Sequence, residues 1–243
     1  MKKLLTTVAG LIIATSASAK SLPEMPAGCA QDIAVKGFCS GFSTSGVTSG
    51  SVTATIFAVI DAARYPDAQS LYERYVDFDQ WGDFAANSGS PDIFFNASKR
   101  MASEKDENGK EVTKHYFSYE INSPIGFQKV RAVSDYRLVD AYEGAELSLE
   151  FVVNTQGQQT VPAGEEPLNG AVGVKSQTGV VHAINCSTTE LCGDGEIMIA
   201  YYSEVRPAID LLPSLAGPAI TAGSEAILIG MFLVDDSIDG DVL

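Results

Sequence analysis

The chain has 243 residues, of which 45% are hydrophobic, and it carries 16 basic and 31 acidic residues, a formal net charge of −15. This length suits one domain with a substantial apolar core. The acidic balance argues against nucleic acid as a partner, because binding to phosphates requires a basic face.

The first 19 residues have the pattern of a secretory signal peptide. Lys2 and Lys3 precede an apolar run that begins at Leu4, and the small residues 17–19 form a cleavage site. We expect the mature chain to begin at Lys20. Removing the peptide takes two of the 16 basic residues and none of the 31 acidic ones, which leaves a net charge of −17. The expected location is the periplasm, with secretion from the cell as the alternative.

Four cysteines remain in the expected mature chain: Cys29, Cys39, Cys186 and Cys192. An exported chain with four cysteines most simply forms two disulfides. We favour pairing the first with the second and the third with the fourth, because each pair would close a short local loop. The other possibility is that the first two cysteines tie the N-terminal segment to the region of Cys186. No C-x-x-C pattern is present, and no metal or other cofactor is predicted.

The elements predicted first along the mature chain are a lead-in, a strand and two short helices. Residues 20–50 are rich in Gly, Ser, Thr and Pro without periodicity, and we expect an extended lead-in. The next segment, SVTATIFAVID from Ser51, alternates like a strand that is buried on both faces. Pro66 and Asp67 then mark a helix start, and a second short helix is predicted at QWGDFAANS.

The stretch YVDFDQWGDF, residues 75–84, begins like a calcium-binding loop. Asp77, Asp79 and Gly82 occupy positions one, three and six of an EF-hand loop. Position five needs an oxygen ligand and position twelve a bidentate glutamate, but they hold Trp81 and Ser88. We therefore interpret the stretch as a helix junction whose aromatic side chains dock on a sheet.

A series of strands follows this junction. The segments DIFFNASKRMAS and EVTKHYFSYEI flank Asn108-Gly109, a strong hairpin turn. Further strands are predicted in FQKVRAVSDYRLVD, AELSLEFVV, VGVKSQTGVVHAIN and GEIMIAYYSEV. Clean alternation in the first two of these indicates one buried face and one solvated face.

The last apolar segment, which ends at Val234, is predicted to be a terminal helix. We expect it to begin at Pro207 and to be kinked or broken near Pro213 and Pro218. From residue 211 on it is long enough to span a membrane, and Glu225 is its only charge. The two prolines, the many small residues and the lack of basic residues after it favour a helix docked on protein instead.

The order of these elements predicts an α+β fold. It resembles the helix-grip fold of the START-like superfamily, which includes lipid-transfer domains, polyketide cyclases and the major birch-pollen allergen. The resemblance covers residues 51–234, followed by an acidic tail at 235–243. Its local part is a helix that ends in Asp77, followed by Trp81 and Phe84. It implies a curved antiparallel sheet of about seven strands around the C-terminal helix, with an apolar cavity between them.

The predicted inward faces of the strands collect the candidate ligand-binding residues. They are His115, Phe117, Tyr119, Val130, Tyr136, Leu147, Leu149, Phe151, Ile197, Ile199 and Tyr201. Apolar walls with a few polar groups are typical of a small-ligand pocket. The same side chains could instead fill the core completely.

The sequence therefore predicts an exported carrier or binding protein for a hydrophobic small molecule, such as a lipid or an aromatic metabolite. One alternative is a cyclase-like or hydratase-like enzyme in the same cavity, in which His115 and Tyr119 or Tyr201 form an acid/base pair. A core histidine held by hydrogen bonds is the simpler interpretation of His115. The other alternative is a structural or partner-binding envelope protein with a filled core. The sequence identifies no particular protein partner.

Overall fold

The structure is a computed structural model that describes residues 22–45, 50–65, 67–101, 103–107, 109–123, 126–154, 161–188, 192–207 and 213–234. The predicted signal peptide at 1–19 and the acidic tail at 235–243 lie outside these residues.

Within these ranges the chain forms four α-helices and nine strands. The helices are α1 (Cys29–Lys36), α2 (Ala68–Tyr75), α3 (Trp81–Asn87) and α4 (Pro213–Phe232). The strands are β1 (Phe38–Ser45), β2 (Ser51–Asp61), β3 (Ile93–Arg100), β4 (Glu104–Lys105), β5 (Glu111–Ile121), β6 (Gln128–Val139), β7 (Leu147–Val153), β8 (Val174–Asn185) and β9 (Glu196–Pro207).

All the strands belong to one antiparallel sheet. Its order is β1-β2-β9-β8-β7-β6-β5-β3, and the short β4 pairs with β5. Helix α4 packs on one face, which we call the inner face, where Leu228, Met231 and Phe232 join the core with residues such as Ile56 and Ile199. The predicted α+β helix-grip fold is confirmed. The sheet is larger than the expected seven strands.

The additional edge strand lies in the segment that was expected to be an extended lead-in. The described part of residues 20–50 instead contains α1 and β1, and β1 pairs with β2 from Phe38 opposite Ala58 to Ser45 opposite Ser51. Backbone hydrogen bonds to a neighbouring strand do not depend on side-chain type. The Gly, Ser and Thr residues of β1 therefore concealed the strand from pattern analysis.

The terminal helix begins later than expected. Strand β9 continues through Pro207, and α4 begins at Pro213. Proline is favoured at the first helical position, where its missing N–H is not needed. The helix continues through Pro218 to Phe232 without the predicted break. None of the helices in the described ranges is long and apolar enough to cross a membrane.

The stretch at 75–84 is a helix junction, as predicted. Phe78, Trp81 and Phe84 are buried in the inner core, and the Trp81 indole Nε1 donates a hydrogen bond to the carbonyl of Tyr75 at 3.0 Å. The carboxylate of Asp79 accepts a hydrogen bond from the backbone N–H of Arg100 at 3.2 Å. These contacts fasten α2 and α3 to the sheet and use the stretch for packing.

Both disulfides lie at the outer face of the sheet. Cys29 pairs with Cys39 and Cys186 with Cys192, with Cα–Cα distances of 5.4 and 5.2 Å. The favoured pairing is thereby confirmed. The cysteines pack with a second apolar cluster that includes Phe57, and the N-terminal segment from residue 22 onwards covers this cluster.

Glycines allow α4 to approach its neighbours closely. A Cβ atom at position 230 would overlap the backbone carbonyl of Phe84, and one at position 217 would overlap the ring of Phe42. At these two glycines the backbone of α4 itself contacts α3 and β1, because no side chain lies between them. Its only charge, Glu225, accepts a hydrogen bond from the hydroxyl of Ser40 in β1 at 2.6 Å.

Replacing Gly230 tests this packing. We expect Gly230→Ala to lower the free energy of unfolding by about 3 kcal/mol, because the added methyl group meets rigid backbone rather than a flexible side chain. Chemical denaturation measures the change. The matched control is Gly82→Ala in α3, where the new Cβ would make an ordinary 3.4 Å contact with Phe95. An equal loss in both variants would contradict the proposed close approach.

Candidate ligand-binding site

A cavity of about 80 Å³ lies between the inner face of the sheet and α4. Helix α4 contributes Ile220, Gly223, Ser224, Ile227 and Leu228 to its wall. Residues from six strands and from the α2–α3 region form the remainder. Five of the predicted site residues are among them: Phe117, Tyr119, Tyr136, Phe151 and Tyr201.

A second cavity of about 70 Å³ adjoins the first. The two share five wall residues, including Tyr119 and Ile220. The second cavity extends toward the first turns of α4, where Ala216 and Ala219 line it, and it includes the predicted residue Val130. The two cavities therefore form neighbouring parts of one apolar region under the helix.

The remaining predicted residues lie elsewhere in the core. Leu147, Leu149 and Ile199 line a crevice of about 10 Å³ beside α2 and the end of α4. Ile197 and His115 are buried but line none of the cavities found in the described residues. At this end of the sheet α2 and α3 cover the inner face. Inward-facing side chains of the strands are therefore packed against these helices and line no larger cavity.

Several wall residues were not predicted. Gln177 lies on β8, where the alternation is less regular, and Gly223 and Ser224 lie on α4. An all-round apolar helix shows no periodicity that marks the face toward the sheet. For Gly223 and Ser224, the general signal available in the sequence was their small size, because small side chains leave room beneath a packed helix.

Four tyrosine side chains bring hydroxyl groups to the first cavity. Burial raises the pKa of Tyr75, Tyr119, Tyr136 and Tyr201. For the first three, the negative charge that a neighbouring tyrosine of this group would carry raises the pKa further. The hydroxyl groups are therefore near one another and neutral at physiological pH. The Tyr201 hydroxyl accepts a hydrogen bond from the Ser224 hydroxyl at 3.3 Å.

The cavity walls carry no formal charge among the described residues. Neither cavity has an Asp, Glu, Lys, Arg or His side chain in its wall. Beside the tyrosines, the amide of Gln177 lines the first cavity and donates a hydrogen bond to the Ser203 hydroxyl at 3.2 Å. The site is thus an apolar space with one neutral polar region.

His115 is a buried core residue. Its ring stacks on Phe78 at 4.1 Å between ring centroids, and its Nε2 lies 2.7 Å from the Ser98 hydroxyl. Because that hydroxyl donates its hydrogen to the carbonyl of Phe78, Nε2 must carry the proton that His115 donates to Ser98. Burial lowers the pKa of His115 well below 6.5, so the ring is neutral.

The hypothetical acid/base pair does not form in this arrangement. The ring contacts of His115 are with Phe78, Trp81, Phe117 and Tyr136, and they include neither Tyr119 nor Tyr201. The other histidine, His182, lies on the outer face, where its Nδ1 is 2.8 Å from the Ser148 hydroxyl.

One group of side chains has the spacing of metal ligands in the described part of the chain: Cys186, Cys192 and Glu196. The two sulfur atoms are joined in a disulfide and provide no thiolate. The Glu196 carboxylate accepts a hydrogen bond from the backbone N–H of Gly193 at 2.6 Å. This group is therefore better explained as a turn closed by the disulfide.

Comparison with known proteins shows the fold. No protein-family model and no curated protein matches the sequence. The chain is similar to the crystal structure of a STAR-related lipid transfer protein from Xanthomonas axonopodis, with 13% identity, a TM-score of 0.54, and coverage of 88% of this chain and 96% of that chain.

Two further structures match at lower TM-scores. For human STARD10 the identity is 12% and the TM-score 0.40, over 86% of this chain and 83% of that chain. For a protein from Mycobacterium smegmatis the identity is 12% and the TM-score 0.38, over 82% of this chain and 96% of that chain. Together with the strand order and the position of α4, the Xanthomonas match shows a START-like helix-grip fold.

The buried histidines generate a prediction about pH. Below about pH 6.5 the unfolded chain binds a proton at His115 that the folded chain does not, so stability decreases as the pH falls, by at most about 1.4 kcal/mol per pH unit for one group. In His115→Gln, an amide that can still donate to Ser98 replaces the titrating ring. We expect its free energy of unfolding to fall less than that of the wild type between about pH 7 and pH 5.

Urea denaturation at the two pH values measures this difference. Adding His182→Gln should reduce the pH dependence further, because burial also lowers the pKa of His182 to about 4. Identical pH dependence in the wild type and both variants would contradict the neutral state assigned to these rings.

Proposed function

We propose that the protein is an exported carrier or binding protein that holds a hydrophobic small molecule between the sheet and α4. The observation that carries this proposal is the aromatic cavity under α4, in which neutral tyrosine hydroxyls form the polar region. Apolar walls with a few placed polar groups are the usual composition of small-ligand sites. The described lipid-transfer role of the Xanthomonas protein, which has a similar fold, agrees with this function.

Burial of apolar surface would supply the affinity. Removing about 200 Å² of ligand surface from water contributes about 5 kcal/mol, at about 25 cal/mol per Å². Association costs offset part of this gain, so a small ligand would bind with modest affinity unless polar groups also pair.

Cavity volume bounds the ligand. The two adjoining cavities, at about 80 and 70 Å³, are each far below the roughly 300 Å³ of a site for a drug-sized molecule. An engineered apolar cavity of about 150 Å³ in another protein binds benzene. A ligand about the size of one aromatic ring therefore suits this conformation, whereas a long-chain lipid would require α4 to move away from the sheet.

Export is part of the proposal. It rests on the signal-peptide pattern of residues 1–19 and agrees with the two cysteine pairs, because disulfides persist in oxidising compartments. On expression of the full chain in a bacterial host, we expect protein from the periplasmic fraction to begin at Lys20 and to contain no free thiol. Intact mass and N-terminal sequencing measure this. An uncleaved chain confined to the cytoplasm would contradict export.

Filling the cavity tests ligand binding. Position 223 lies in the cavity wall, and a side chain added there first meets the flexible end of Ile121. We expect protein purified from its own host to carry a bound small molecule in native mass spectrometry, and Gly223→Leu to lose it. The matched control is Ala222→Leu, which enlarges the neighbouring residue of α4 outside the cavity walls.

Both variants need to remain folded, which circular dichroism and the melting temperature establish. An empty wild-type protein that also fails to bind small aromatic compounds would count against the proposal and in favour of a filled-core structural protein. Equal loss of ligand in both variants would place the binding site elsewhere.

A further inference from the structure

We propose that the ligand is a neutral molecule with a ring-sized apolar body and one hydroxyl group, and that the site selects against carboxylates and ammonium ions. This inference rests on the proposed function and names the chemical class that the same cavity would accept. Three features carry it: unpartnered hydroxyl groups in the cavity, the absence of charge in its described walls, and aromatic rings around it.

The first feature is the state of the tyrosine hydroxyls. Within the described residues, those of Tyr75, Tyr119 and Tyr136 form no hydrogen bond, and their oxygen atoms are not fully buried but remain accessible beside the cavity that these residues line. Accessible hydroxyl groups of this kind can pair with water or with a polar atom of a ligand. A polar ligand atom placed among these hydroxyls would supply the hydrogen-bond partner that the protein does not.

The type of that polar atom follows from the chemistry of the hydroxyl groups. Each phenolic O–H donates one hydrogen bond and also accepts, and the amide of Gln177 and the hydroxyl of Ser224 lie in the same cavity wall. A ligand hydroxyl also donates and accepts, so it can pair with two tyrosines at once. A hydrocarbon of the same size would fill the space but leave the hydroxyls unpartnered.

The second feature is charge. A carboxylate in the cavity would lose its hydration without meeting a cation, because no Lys, Arg or His belongs to the described walls. The neighbouring charge on α4 is that of Glu225, which is also negative and is held by Ser40. Both effects disfavour an anion at the tyrosine hydroxyls.

A cation would also enter at a cost, because the same walls contain no carboxylate. The aromatic rings offer a partial compensation through cation–π interaction. Several of them stack in pairs along the sheet, with centroid distances of 5.5 Å for Tyr136 and Phe151 and 5.8 Å for Phe151 and Tyr201. These rings can also contact an uncharged aromatic ring, which does not lose the hydration that a cation loses on entry.

A series of one-ring compounds tests this selectivity. Benzyl alcohol, toluene, benzoate and benzyltrimethylammonium share the ring and differ in the polar group. NMR titration of the mature wild-type protein at neutral pH should give a dissociation constant for benzyl alcohol at least ten-fold lower than that for toluene. Benzoate and the ammonium compound should bind at least ten-fold more weakly than benzyl alcohol.

Removing hydroxyl groups from the protein tests the contact. Tyr119→Phe and Tyr136→Phe should each weaken benzyl alcohol binding about three-fold to ten-fold and leave toluene binding unchanged or tighter. The matched control is Tyr116→Phe, which removes a buried hydroxyl from the opposite side of β5. That variant should bind both compounds as the wild type does.

The outcomes separate this inference from the proposed function. If none of the four compounds binds and native mass spectrometry finds no ligand, the proposed function fails together with the inference. If toluene binds as tightly as benzyl alcohol, or if the tyrosine variants bind benzyl alcohol as tightly as the wild type does, hydrophobic binding stands and recognition of a hydroxyl is overturned. Preferred binding of benzoate or of benzyltrimethylammonium would likewise overturn selection for a neutral ligand.

Discussion

The burial of α4 is the constraint on which the rest of the structure depends. The helix is apolar on nearly all sides, so it is stable only when protein covers it almost completely. The inner face of the sheet covers one side, α3 approaches backbone to backbone at Gly230, and β1 covers the side that carries Gly217. The single charge of the helix, Glu225, is held by the Ser40 hydroxyl of β1. The N-terminal strand therefore contributes to the grip on the helix as well as to the sheet.

Uneven coverage of α4 leaves the cavity. Near the end of the helix, α2 and α3 fill the space above the sheet, and residues such as Leu149 and Phe232 leave only a small crevice. Toward the first half of α4 this filling is missing, and small residues such as Gly223 and Ala219 line the cavities. Gly230 thus permits a close approach to the backbone of Phe84, and Gly223 makes room for the end of the Ile121 side chain at the cavity wall.

The polar groups in the two halves of the inner core differ in how far they are hydrogen-bonded. The His115 imidazole is neutral, stacks on Phe78 and donates to Ser98, so part of its hydrogen-bonding capacity is used within the core. The hydroxyls of Tyr119 and Tyr136 are also neutral but have no partner among the described residues. Unused hydrogen-bonding capacity next to an apolar space is what a binding site requires. This contrast makes the tyrosines, rather than the histidine, the polar groups expected to contact a ligand.

Local patterns in the sequence determined much of the fold. Alternation indicated most of the strands, and short spacing favoured the pairing of Cys29 with Cys39. Asp67 marked the start of α2, where its side chain accepts a hydrogen bond from the backbone N–H of Ser70. The structure alone decided the existence of β1, because its many Gly, Ser and Thr residues show no apolar alternation, although its partner β2 is the next strand in the chain. The tertiary structure also decided that Tyr119 lines a cavity and Ile197 does not, although both were predicted to lie on the inner face. Alternation specifies the face of a strand, whereas the cover above each residue is set by helices that are remote in sequence.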